Sequence, residues 1–328
     1  MTLISLFKQT KADKDNLLIE GSDSFLNEYI AEDYSKQSKF NSYEKITVDC
    51  NDEGLNELIA TLMESSLFSQ QKLVIVKNPF FLTSKVPQKY KKQVSKLTSI
   101  LQNLDQLDDT VIFLANYEKI DRRKKISKIV LEQVNLVATK IKPYESIAYL
   151  KLIAKQEGYQ FTRSALSMLE QRTDQVFDSM LSNYLKLKNI CDDFKITETM
   201  IKQNVEQSLS ENIFEILTNA FDGDKLKAIM RLKNHFREGV SVIQLIAVFE
   251  SQLEFLLAVK ILQERRWSKE QIIKELHANP YRVKFALEKR VKAEQLKDLV
   301  KEIVTLDYNY KNGTYHENEF LEMFILRI

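Results

Sequence analysis

Glycine and proline are scarce in this sequence, 6 and 4 of 328 residues, which excludes collagen-like, linker-rich and disordered chains. Cysteine is scarcer still. Cys50 and Cys191 stand far apart without a CxxC partner, and His235, His277 and His316 have no metal-ligand spacing among themselves or with them. No disulfide scaffold, zinc site or other metal centre is expected. Charge of one sign is lacking too, since 48 basic residues face 46 acidic ones for a formal charge of +2. Any nucleic-acid partner must therefore be met by a local patch. The densest apolar stretch, Val240 to Leu262, is broken by Gln244, Glu250, Gln252, Glu254 and Lys260, and a bilayer centre rejects each charge at roughly 2.5–3.5 kcal/mol, so no membrane span is expected. Lys8, Lys11, Asp13 and Lys14 fall where a signal peptide places its apolar core. A cytoplasmic location is expected.

With 44% apolar and 29% charged residues, the chain folds as about two or three domains. The first 140 residues alternate short apolar runs with helical patterns. Strands are expected at Leu17 to Glu20, Lys45 to Val48, Leu73 to Val76, Val111 to Leu114 and Val134 to Lys140, with helices near Ser24 to Ser35, Gly54 to Glu64, Gln88 to Leu101 and Arg122 to Leu131. Such a βαβ series predicts a mostly parallel sheet covered by helices. After Pro143 the strand signal disappears and short amphipathic helices follow, Ser146 to Glu157 and Thr162 to Glu170 among them, with Gly158 as a stop between these two. From Asn212 onward the pattern stays helical, and Val242 to Leu262 is apolar on nearly every face, as in a helix surrounded by others. Three domains are expected: 1–142 of α/β type, 143–208 small and helical, and 209–328 helical.

The equipment of an ATPase is missing. Leu17 to Phe25 reads strand, turn, helix, the place where a nucleotide-binding domain puts its phosphate loop, yet no glycine in the chain is followed by lysine. A P-loop needs that lysine for phosphate charge and the following hydroxyl for magnesium. GxGxxG, GxSxG and a Cys–His pairing are absent as well. Asp108-Asp109 precede the fourth strand, where a solvated turn is expected rather than a site. Asn116, at that strand's carboxyl end, reads either as a nucleotide-sensing residue or as a loop or cap residue. No cofactor is expected.

The most informative segment is Met63-Glu64-Ser65-Ser66-Leu67-Phe68-Ser69-Gln70-Gln71-Lys72 and the strand after it. Leu67 and Phe68 either fold back as a staple for the helix end or form an apolar plug aimed at a pocket on another protein. With Leu17 to Leu26, Asp121-Arg122-Arg123-Lys124-Lys125, Asn279 to Lys284 and Asp307 to Gly313 in the same order, the whole chain resembles the delta subunit of the bacterial DNA polymerase III clamp loader. The resemblance implies α/β plus all-α architecture: a degenerate AAA+ type parallel-sheet domain (1–142), a helical lid (143–208) and a C-terminal helical collar for oligomerisation (209–328).

It also implies a function. The family member binds and opens the ring-shaped sliding clamp, the beta subunit, for loading onto primed DNA, and does not hydrolyse ATP itself. It is a non-catalytic chain inside a holoenzyme with DNA polymerase activity. Leu67, Phe68, Ser66 and Met63 become the expected clamp-binding residues. Burying Leu67 and Phe68 would contribute roughly 3–6 kcal/mol, so surrounding contacts must help. Other loader subunits, ATPase and delta-prime type, are expected partners, and no membrane is. Between Lys260 and Lys301 twelve basic residues face six acidic ones, either a solvated face or a patch for phosphates read without sequence preference. Tyr315, Lys311, Arg282 and Lys284 are the candidate DNA contacts, Tyr315 as a stacking surface. Competing readings are an active AAA+ ATPase, and a helical scaffold or non-specific DNA-binding protein without a clamp partner.

Overall fold

The computed structural model describes residues 2–64, 70–278, 280–315 and 318–328. Ser66, Leu67 and Phe68 lie outside the described residues. In chain order the elements are β1 (Lys8–Gln9), β2 (Leu17–Glu20), α1 (Ser24–Ser35), β3 (Glu44–Asp49), α2 (Gly54–Met63), β4 (Lys72–Lys77), α3 (Lys91–Leu101), β5 (Thr110–Ala115), α4 (Lys125–Gln133), β6 (Asn135–Ala138), α5 (Ser146–Gln156) and β7 (Gln160–Phe161). Then come α6 (Arg163–Arg172), α7 (Phe177–Lys188), β8 (Lys195–Ile196), α8 (Glu198–Asn204), α9 (Leu209–Phe221), α10 (Lys225–Arg237), α11 (Val242–Glu264), α12 (Lys269–Leu276), α13 (Pro280–Glu288), α14 (Ala293–Lys311) and α15 (Glu319–Arg327). Contacts gather them into two compact units, Met1–Thr162 with Val176–Ile196, and Arg163–Gln175 with Thr197–Ile328. Residues 143–208 are thus distributed over both.

The first unit is built on a sheet in the order β1-β6-β2-β5-β4-β3. Five strands run parallel, and β1 pairs antiparallel with β6, Lys8 opposite Ala138. Every residue of β5 is buried, because it lies between β2 and β4 with helices over the sheet, which is why its sequence reads as one apolar run. Alternation assigns the faces: Val111 and Phe113 join Leu58 of α2, Leu97 of α3 and Val130 of α4 in one core, while Leu114 and Ile75 turn to Phe25 and Tyr29 of α1. The chain runs from β2 out to the β3 edge and back through β4 to β5, then to β6 on the other side of β2. The order of connection therefore reverses around β2, and in open α/β sheets ligands bind where this happens.

At the end of α5, Glu157 accepts hydrogen bonds from the hydroxyls of Tyr29 on α1 and Tyr184 on α7, and pairs with Lys188 at 2.7 Å. Burial, with Glu157 alongside, pushes both phenols far above their ordinary pKa, so they stay donors.

The second unit is helical. Ser241 and Gln244 form a capping box at the start of α11, and α11 packs on α9, α13 and α14. By length and composition alone α11 would cross a bilayer. Leu245, Ile246, Phe249, Leu253, Leu256 and Val259 are instead buried in this unit's core, the placement of a core helix. Burial is not all-round, however, since Ile243, Ala247, Ser251 and Glu254 are exposed along one stripe.

The five parallel strands and their helices fall where the periodicity places them, to within a few residues. Three short strands escaped it. β1 has two residues of mixed polarity, and β7 and β8 pair in parallel, Gln160 with Lys195 and Phe161 with Ile196, so the strand pattern does not end at Pro143. The helix expected from Arg122 starts at Lys125, because Asp121 accepts from the Arg123 N–H at 3.1 Å and holds residues 121–124 in a turn.

Candidate functional site

The crevice at the carboxyl ends of β2, β5 and β6 is where a nucleotide would lie in such a sheet. Its polar groups are occupied by the protein itself. The Gly21 N–H donates to the Ala115 carbonyl at 3.2 Å, and the Thr139 N–H to the Glu20 carbonyl at 2.9 Å. Asn27, fully buried on α1, donates to the Gly21 carbonyl at 2.8 Å and to Asn116 Oδ1 at 2.9 Å, and accepts from Thr139 Oγ1 at 2.5 Å. A Cβ on Gly21 would come 2.2 Å from Thr139 Oγ1, so this glycine is required for close approach. Asp23 caps α1 by accepting from the Leu26 N–H at 2.9 Å. A helix N-terminus is a favourable seat for phosphate, and here a carboxylate holds it. Burial raises the pKa of Asp23 against the opposing effect of that amide.

Beside the crevice Glu20 is buried, accepting from the Ile120 N–H at 2.9 Å and from Arg122 at 3.0 Å. The loop after β5 is thereby tied to β2. Asn116 takes the loop role of its two readings, as partner of Asn27. Asn27 and Thr139 were not found from sequence, because a polar residue inside a helix pattern, or at the end of a strand, reads as a solvent-facing one.

The second region is the junction of α2 and β4. Met63, the last residue of α2, is 53% exposed. On the return side the Gln70 side chain donates to the Ser42 carbonyl, and the Gln71 carbonyl accepts from the Glu44 N–H at 2.8 Å. Asp109, expected in a solvated turn, is half-buried and accepts from the Lys72 N–H at 2.8 Å; Asp108 is exposed.

The third region is the C-terminal helical unit. Tyr315 stacks on Phe320 with ring centroids 5.1 Å apart, and Tyr310 tilts onto the same ring at 5.7 Å. Tyr308, two residues before Tyr310, is 68% exposed. Lys311 pairs with Asp307 at 2.6 Å and Lys284 with Glu288 at 3.7 Å, both lysines exposed. Arg282 differs from its expected place among the DNA contacts. Its guanidinium lies over the Phe214 ring, 3.3 Å from Asp174 and 3.5 Å from the buried Glu211, and donates to Ser210 at 3.0 Å. It serves the unit's interior, because two carboxylates there need a cation.

A family model described as DNA polymerase III, delta subunit, matches residues 15–140, and one described as DNA polymerase III delta subunit, C-terminal domain, matches residues 210–328. Together they span more than half of the chain. The curated DNA polymerase III subunit delta of Bacillus subtilis (strain 168) is 27% identical over 285 residues, 85% of this chain and 82% of that one. The solved structure of the Bacillus subtilis DNA clamp loader delta protein superposes with a TM-score of 0.58 at 24% identity, covering 95% of this chain and 94% of that chain. The latter likeness speaks for the fold. The architecture is a mostly parallel six-stranded sheet with helices packed on it, helices following it and a C-terminal helical region.

Proposed function

Because this chain belongs to the delta subunit family of the bacterial DNA polymerase III clamp loader, we propose that it binds and opens the ring-shaped sliding clamp for loading onto primed DNA. Leu67 and Phe68 are the plug, flanked by Ser66 and Met63. The observation that carries this reading is the exposed Met63 at the end of α2, an apolar side chain in water immediately before the Leu67-Phe68 pair. The crevice filled by Asn27, Asn116 and Thr139 supports the other half of the reading, that ATP is hydrolysed by neighbouring subunits. A bound protein shifts a closed-to-open equilibrium only by its difference in affinity for the two forms. The plug region therefore fits the clamp best when a nearby subunit interface is sprung.

Three functional parts divide the labour: 1–142 grips the clamp, 143–208 is the lid, and 209–328 is the collar that joins ATPase and delta-prime type neighbours. Leu226 and Met230 on α10, with Met323 and Leu326 on α15, are exposed and support that collar role. Lys284 and Lys311 meet DNA phosphates without reading sequence, and Tyr315, partly exposed, is the stacking residue. The reading puts the protein in the cytoplasm with the replication machinery.

The test is clamp binding in solution by the full chain carrying Leu67→Ala with Phe68→Ala. Binding should be abolished while thermal stability stays nearly unchanged. A large loss of stability would instead favour the staple, and failure of the unaltered chain to capture any clamp would favour a scaffold.

A further inference from the structure

Lys72 opens β4 with 4% of its side chain exposed, a place lysine almost never takes without partners. Its partners all lie at one spot. The ammonium donates to the Glu64 carbonyl at 3.1 Å and to the Thr61 carbonyl at 3.5 Å, and pairs with the Glu64 carboxylate at 2.9 Å. These carbonyls belong to the carboxyl end of α2, where no further amide of the helix is available to meet them. A cation there also meets the negative end of the helix dipole.

The backbone around Lys72 is fixed independently, through Asp109 to the Lys72 N–H and through the Glu44 N–H to the Gln71 carbonyl. One side chain thus ties the outgoing end of α2 to the incoming start of β4, and residues 65–69 run between those two anchored points. Ending a helix does not require this. A glycine in the left-handed conformation does so without burying a charge, whereas a buried ammonium must recover its lost hydration through good geometry. What the lysine adds is a fixed relation between the two ends.

We propose that Lys72 is a positioning residue for clamp recognition, its buried ammonium setting where the chain leaves for, and returns from, Leu67 and Phe68. The proposal rests on the clamp-binding reading above. A binding segment whose ends are held loses less freedom on binding, so affinity rises without any new contact to the partner. The Glu64 carboxylate is 76% exposed and is not the essential partner; the two carbonyls are.

The test compares the full chain with Lys72→Met, with Lys72→Arg, and with Val130→Ala, a core change on α4 far along the chain that lowers stability by cavity formation. Amide hydrogen exchange is read without the clamp, and clamp affinity is read at a temperature where all variants are folded. Lys72→Met should speed exchange at the end of α2 and the start of β4 while other segments keep their rates, and should weaken clamp binding about tenfold. Lys72→Arg should restore most of both, and Val130→Ala should leave affinity unchanged. If Lys72→Met does not fold, Lys72→Gln, which keeps a donor, is read in the same way. Unchanged exchange in the lysine variant overturns the proposal, as does an equal loss of affinity in Val130→Ala. Wild-type clamp affinity in the Leu67→Ala/Phe68→Ala variant would instead refute the clamp-binding reading itself, a separate outcome from the exchange result.

Discussion

The side-chain amide of Asn27 donates to the backbone carbonyl of Gly21 at 2.8 Å, from a residue with no exposed surface. This bond joins α1 to the turn that precedes it. In a nucleotide-binding domain that turn must stay open so that its amides can point at phosphate. Here it is closed by Asn27 from one side and Thr139 from the other.

Gly21→Ala should therefore destabilise the protein by about 2 kcal/mol, the range of an overpacked site, because its Cβ meets Thr139 Oγ1 at 2.2 Å. Thr139→Ala should be destabilising as well, since Asn27 Oδ1 loses its donor. The double variant should cost less than the two single losses added together, because the second change removes the atom that the first collides with. Chemical denaturation of all four proteins checks this, and strict additivity would refute the collision.

Arg282→Met should produce a pH-dependent loss. Burial pushes the Glu211 carboxyl above its ordinary value of 4.5, with Gln171 and Arg282 working in the opposite direction. A carboxyl whose folded pKa lies above the unfolded one favours the native state at low pH. It opposes it increasingly as pH rises past the unfolded value, because the unfolded chain releases its proton first. Without Arg282 that rise is steeper. The deficit should be about 3 kcal/mol at neutral pH and should shrink as pH is lowered toward 4.5. Urea melts at several pH values check the trend, and a deficit that does not vary with pH would contradict it.

Arg282 also marks the limit of what could be read in advance. In the sequence it belongs to a basic run, and counting charges along a chain does not reveal that Asp174 and Glu211 fold against it. Asn27 and Lys72 are hidden for the same reason: each is polar at a position whose partner comes from another element, Gly21 in one case and α2 in the other. The β2, β4, β5 and β6 strands were legible because burial demands apolar runs such as Thr110 to Ala115, and the mostly exposed edge strand β3 through its β-branched residues Ile46, Thr47 and Val48. β1, β7 and β8, at two residues each, are too short for any period to register. The proposed clamp-binding role of Leu67 and Phe68, which lie outside the described residues, rests on family resemblance, since two apolar residues between serines fit a staple as well as a plug.

Glu157→Gln should cost about 2 kcal/mol, since the pair with Lys188 is mostly shielded, 15% and 24% exposed, and its loss leaves an ammonium uncompensated. Adding Lys188→Met should recover part of the loss, because an unpaired charge in that environment is worse than none. Thermal and urea unfolding of the single and double variants measure the recovery, and a double variant less stable than Glu157→Gln would refute the argument.

Tyr315→Ala and Tyr308→Ala should separate. Tyr315 packs face to face on Phe320, and its removal should cost about 2 kcal/mol. Tyr308 is 68% exposed, and its removal should fall within about 0.5 kcal/mol of neutral. Melting temperatures of the two variants make the comparison directly, and equal losses would place Tyr308 in packing as well.

The chain passes from one compact unit to the other at residues 162–163, 175–176 and 196–197. Trimming the gene cannot respect such a path. A recombinant piece beginning at residue 209 would discard Gln171 and Asp174, so Glu211 would lose its amide donor and Arg282 its second carboxylate, while Ser210 and Phe214 stayed. Anyone seeking a C-terminal half should start the cut no later than Arg163 and would carry along residues 176–196, the α7 and β8 segment of the first unit.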